Sequence, residues 1–177
     1  MVDVGRLLRR PIFRLVPVGI VFIALQRAVL ADIPIRHVVL ELVLALAAAC
    51  GVAGGPERGA YAGFVLGVMF DLGTASPLGE NALAFGLAAY VAGFVTLVAV
   101  DPHWWLSMIF AMAGAATGEV AIPVVETFIK DGGWQGHRVS VIVLIVSIFS
   151  GALSPLLIPL GRWCLCIRKR AWKVPTA

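Results

Sequence analysis

Residues 59–93, GAYAGFVLGVMFDLGTASPLGENALAFGLAAYVAG, place a carboxylate where an apolar run would otherwise continue. Gly59, Gly63 and Gly67 recur every fourth residue and so share one helical face, along which the missing side chains let a second helix come close. That face ends at Asp71. Residues 72–79, LGTASPLG, are turn-rich, and Ser76-Pro77 has the form of an N-cap followed by proline in the first helical turn. A second helix is predicted from there, with Gly79, Gly86 and Gly93 at seven-residue intervals and Ala82 and Ala89 between them. Two smooth-faced helices joined at an acidic hinge are the expected result.

The remainder of the 177-residue chain is just as apolar. Hydrophobic residues make up 60% of it and charged ones 14%, with a mean hydropathy of +0.98, values that exclude an ordinary soluble domain. Apolar segments alternate with charged or Gly/Pro-rich breaks, each near the roughly 20 residues a helix needs to cross hydrocarbon. They are continuous, not alternating, which argues against a β-barrel. A formal charge of +4 would point a soluble protein towards nucleic acid, but here the cations cluster at the two ends and no nucleic-acid partner is expected. Cys50, Cys164 and Cys166 are too few for a disulfide framework, and Cys164-x-Cys166 lacks a second pair of metal ligands.

Upstream of the hinge, Arg6, Arg9, Arg10 and Arg14 precede an apolar run over residues 15–30. The run has the positive flank of a signal peptide but no small-residue cleavage site, so it reads as a retained first helix. A second helix is predicted over 38–53. The third, 56–72, rises only about 25 Å at 1.5 Å per residue, which implies thin spanning or partial re-entry. A fourth is predicted over 81–100, a fifth over 106–129 with a bend at Pro123, and a sixth over 139–160. The expected fold is therefore all-α and integral to the membrane. It has a basic segment 1–14, about six transmembrane helices in one bundle over 15–161, and a basic tail 162–177.

Orientation follows from the cations. Ten of them (Arg6, Arg9, Arg10, Arg14, Arg58, Arg162, Arg168, Lys169, Arg170, Lys173) fall on one side of this scheme and four (Arg27, Arg36, Lys130, Arg138) on the other. The excess belongs in the cytoplasm, so both termini are expected there. Trp104, Trp105, Trp134, Trp163 and Trp172 all sit at or beyond predicted helix ends, at headgroup height. The tail RWCLCIRKRAWK reads as a topology anchor that also attracts anionic lipid.

Four acids interrupt the apolar segments: Glu41, Asp71, Glu119 and Glu126. Carboxylates in hydrocarbon are costly and usually face a bundle interior or a cavity, where they mark ion or proton paths. Glu119 and Glu126 lie two turns apart on one face of the fifth helix, whose Gly118 and Pro123 loosen it. The plainer alternative is that Asp71 caps a turn and Glu126 lies near a helix end beside Lys130. The glycine stripes also admit two roles, packing within the bundle or docking of a partner's helix. His37, His103 and His137 have no metal-ligand neighbours at useful spacing. The hydroxyls form no nucleophile elbow, and no phosphate-cradling loop is present. No catalytic residue, cofactor or metal is expected.

Gly63-Phe64-Val65-Leu66-Gly67, then Asp71-Leu72, a short serine-containing turn and Leu78-Gly79 ahead of a small-residue helix resemble the signature of MreD, the rod-shape-determining membrane protein family. The resemblance covers about 35 residues, and the chain differs from the pattern at Arg36-His37 before the second helix and at Glu80-Asn81. What it implies is a non-enzymatic scaffold in the bacterial cytoplasmic (inner) membrane. Such a scaffold binds an MreC-like partner and, indirectly, MreB, RodA and a penicillin-binding synthase, in support of cell shape and lateral peptidoglycan synthesis. It also implies a fold similar to the substrate-binding subunits of energy-coupling-factor transporters. A vitamin-transporter subunit of that fold is the rival expectation, and Ala24-x-x-x-Ala28 resembles the contact by which such subunits dock. A proton-coupled carrier using Glu119 and Glu126 is a third.

Overall fold

A helix that is apolar on every side has to be enclosed by other helices, and residues 42–54, LVLALAAACGVAG, have no polar side at all. In the computed structural model they form the axis of the bundle, with every residue from Leu42 to Val52 buried. The structure describes residues 11–30, 41–74, 77–99, 102–129 and 136–167, with side chains described throughout these except at 11, 12, 29, 30, 126–129 and 136–140.

Among the described residues the order is α1 (Pro11–Leu25), which continues into a π-helical turn (Gln26–Leu30), then α2 (Leu42–Gly54), α3 (Pro56–Gly73) and α4 (Glu80–Gly93). A single turn α5 (Val95–Val98), α6 (Trp104–Ile129) and α7 (Gly136–Cys164) complete it. No strand occurs among them. Among the described residues three stretches, Glu80–Val98, Trp104–Val125 and Val141–Cys164, are long and apolar enough to cross a membrane, where six spans are expected of the whole chain. The central helix is too short to meet that test alone, at about 20 Å for its length.

Glycine contacts give the helix directions. Gly59 packs on Gly51, so α2 and α3 form an antiparallel hairpin. Its connection is Gly55, whose φ of 82° is open to glycine at little cost, followed by Pro56 at the first helical position. Gly59, Gly63 and Gly67 lie in turn against Ala89, Phe85 and Ala82, making α3 and α4 antiparallel. Gly114 and Gly118 meet α4 at Ala88 and Ala92, then at Ala84 and Ala88, so α6 is antiparallel to α4. Gly161 of α7 rests on Ala49 and Cys50 of α2. Arg14, Arg58 and Arg162 come to one end of the bundle, while Glu41 and Asp71 lie at the other.

Several boundaries differ from expectation for identifiable reasons. The first helix starts at Pro11, ahead of residue 15, and the last runs to Cys164, through Pro155 and Pro159. The expected fourth helix is broken at Phe94, where α4 gives way to α5. Its start is also displaced. Pro77 precedes the helix and Gly79 occupies the cap position with a φ of 101°, so the Ser76-Pro77 cap is not formed there. Ser76 itself lies outside the described residues, as do the basic segment 1–10 and the tail from Arg168.

Candidate functional site

Asp71 ends the glycine stripe of α3 and is 2% exposed. Its carboxylate reaches across the hinge to the start of α4 and does the capping expected of Ser76. Oδ2 accepts the Gly79 N–H at 2.8 Å and the Ala82 N–H at 3.3 Å, while Oδ1 accepts the Asn81 N–H at 3.2 Å and the Asn81 side-chain amide at 2.8 Å. Free N–H groups and the positive end of the helix dipole both favour a negative group here. Asn81 is thus a partner of Asp71 through both its backbone and its side chain.

The glycines hold the hinge in place. A Cβ at Gly63 would overlap the Phe85 carbonyl oxygen, and one at Gly67 would overlap the Ala82 backbone and the Asn81 carbonyl. Close approach at Gly67, four residues before Asp71, is what sets the carboxylate over the first turn of α4. Gly93 packs on Gly55 and Pro56 at the far end of the hairpin. Gly86 is different. A Cβ there would stand 3.6 Å from Ala60 and Phe64, an ordinary contact, and Gly79 has open space around it. Phe70 and Phe85 close the pair, with ring centroids 5.6 Å apart.

A second polar place is built from Glu41 and Glu119. Glu41 stands immediately before α2, and Gly118 of α6 packs beneath Leu44 and Ala88, which brings Glu119 up to the same end of α2. The two carboxyls lie close enough for their charges to interact. Oε2 of Glu41 and Oε1 of Glu119 are buried without a hydrogen-bond partner, and Glu119 is 8% exposed. Ser150 and Ser154 of α7 also carry buried, unpartnered hydroxyls. Two turns back from the Gly161 contact with Ala49 and Cys50, Ser154 comes level with the first turn of α2. Glu119 therefore pairs with Glu41 here, across two helices. The Glu126 side chain, with which Glu119 was expected to share a face, lies outside the described residues.

Sequence reasoning missed Gln26. Its side-chain carbonyl, turned inward by the π-helical turn, accepts the Val43 N–H at 3.1 Å and caps α2 across the chain. It also read Gly118 as a loosening residue, where the structure uses it for close packing. A polar side chain in an apolar run signalled Gln26, but the position of its acceptor required the fold. Among the described residues no three His, Cys, Asp or Glu side chains come together as a metal site would require. Compared with known proteins, the chain matches no family model, no curated sequence and no solved structure.

Proposed function

We propose that this chain is a non-enzymatic scaffold of the bacterial inner membrane that holds an MreC-like partner, as its resemblance to MreD implies. Six helices cross the bilayer and both termini are cytoplasmic, following the excess of cations at that end. The short α2 is compatible with this topology because it is surrounded by protein and not by lipid, so its length need not match the hydrocarbon. One observation carries the reading. The residues of the resemblance, Gly63, Gly67, Asp71 and Gly79, form a single closed hairpin in which the acid is engaged with backbone N–H groups. An acid committed to a helix terminus suits a rigid docking element better than a proton carrier. The glycine faces of that hairpin are filled by its own helices, which leaves the outer surface of α3 and α4, with Tyr61, Phe64, Leu83 and Leu87 exposed, to meet the partner.

The test is co-purification of a tagged chain from mild detergent, wild type against Phe64→Ala/Leu87→Ala. Stoichiometric MreC-like protein that is lost from the folded variant supports the scaffold. A co-purifying ATP-hydrolysing module or a bound vitamin would replace it with the transporter reading, which the unpartnered oxygens of Glu41, Glu119, Ser150 and Ser154 favour.

A further inference from the structure

The end of the bundle opposite the Asp71 hinge holds a cleft of about 520 Å³ between the start of α6 and the end of α7. Trp104 and Trp163 form its rim, Ser107, Pro155 and Pro159 lie within it, and Arg162 supplies its cation. We propose that this cleft binds the headgroup of an anionic phospholipid, with Arg162 on the phosphate. The site does not depend on the scaffold reading.

Charge is the first argument. Among the described residues no carboxylate lines the cleft and Arg162 has no acidic partner. A planar guanidinium at a helix end presents paired N–H donors to a phosphate diester. A second cation stands behind it. The Arg14 guanidinium lies 5.1 Å from the centroid of the Trp163 ring, and its Nη1 donates to the Trp163 carbonyl at 3.4 Å. Arg14 thereby fixes the rim and raises the local positive potential.

The second argument is polarity in the floor. Proline has no N–H to give the carbonyl four residues back. Pro159 therefore releases the carbonyl of Pro155, a residue that lines the cleft, and Pro155 releases that of Gly151 one turn further into the bundle. Released acceptors beside a cation suit a headgroup that carries hydroxyl or ammonium donors next to its phosphate. Height is the third. Trp104 and Trp163 are 66% and 55% exposed, and Leu156, on the following turn towards the hydrocarbon, is 74% exposed. Tryptophans favour the headgroup layer, so a ligand held between them has its acyl chains beside Leu156. A free phosphate ester would gain nothing from that surface. A basic pocket between helices at a bilayer face is a known physical form of a lipid headgroup site.

The test is native mass spectrometry of the full chain in detergent, titrated with phosphatidylglycerol, cardiolipin, phosphatidylcholine or soluble glycerol phosphate. The anionic lipids are expected to bind more tightly than phosphatidylcholine, and Arg162→Gln should reduce that preference about tenfold or more, the loss of a charge-assisted hydrogen bond to the phosphate. Arg58→Gln, which removes an exposed cation at the same end, should reduce it by no more than about fivefold, the diffuse effect of one cation near the surface. Should Arg162→Gln fail to fold, Trp104→Ala serves instead, since loss of the rim should weaken the lipids and leave glycerol phosphate unaffected. Equal losses from Arg162→Gln and Arg58→Gln would reduce the effect to diffuse attraction and overturn the site. Equal binding of glycerol phosphate and phosphatidylglycerol would overturn the lipid as its ligand.

Discussion

Asp71 and Glu119 are comparably buried acids in one bundle, yet their surroundings are opposite. Asp71 is met by the N–H groups of Gly79, Asn81 and Ala82 and by the Asn81 amide. Glu119 faces Glu41, with an oxygen on each left unpartnered. The difference comes from what each acid meets along the chain direction. Asp71 ends one helix where the next begins, so it finds a helix N-terminus with its free donors. Glu119 sits in the middle of α6 and comes to the start of α2, where Gln26 already holds the Val43 N–H and the nearest carboxyl is a like group. The first acid belongs to the fold, whereas the second costs stability and is the one to examine for a role beyond folding.

Substitutions can break that comparison, beginning with the hinge. Asp71→Ala strips the acceptors from several buried N–H groups, each worth about 1–3 kcal/mol when left unsatisfied, and should cost at least about 3 kcal/mol. Unfolding in mixed detergent micelles, followed by circular dichroism, measures it. A loss under about 1 kcal/mol would mean that water or other groups replace the carboxylate.

Gly67→Ala tests whether close approach positions the acid. Its Cβ meets the backbone of Ala82 and Asn81, which cannot rotate away, so α3 and α4 must separate. The overpacking cost of about 1–3 kcal/mol outweighs the gain in helix propensity of about 1 kcal/mol. The same unfolding assay should show net destabilisation, and adding Asp71→Ala should cost less than in the wild type because the cap is already displaced.

Glu119→Gln sharpens the other side. It replaces a buried carboxyl whose Oε1 has no partner among the described residues and keeps the shape, so stability should stay within about 1 kcal/mol of wild type or rise. A loss as large as that of Asp71→Ala would show that Glu119 has an essential partner. The smallest effect belongs to Gly86→Ala, where there is room for a Cβ. It should be neutral or stabilising by up to about 1 kcal/mol, in contrast to Gly67→Ala on the opposite helix of the pair.

Much of this was readable in the chain itself. The fourth-residue spacing of Gly59, Gly63 and Gly67 announced a close helix pair, and the break after Asp71 announced its hinge. All-helical character followed from continuous apolar segments. Which group would cap α4 did not, because local pattern favours a serine immediately before a proline, while the structure uses a carboxylate eight residues before Gly79. The Glu41 and Glu119 encounter was likewise hidden. Helical periodicity joins Glu119 only to residues on its own helix, and its approach to Glu41 depends on α6 packing against Leu44 of α2 at Gly118. Hydropathy alone does not separate a span from a core helix, since a segment enclosed by protein, as α2 is, can be as apolar as one that faces lipid.

Enclosure of α2 has a consequence for how the chain is made. Thirteen residues are too few to span and settle alone in lipid, so in a membrane α2 is stable only beside its neighbours. Its single-residue link to α3, and the short hinge from α3 to α4, bring the next two walls of its enclosure out of the ribosome directly behind it. Assembly is therefore sequential and depends on the Asp71 hairpin closing promptly. A chain in which that step is slow exposes its least self-sufficient segment to quality-control proteolysis, so hinge variants will be seen first as low abundance in the cell.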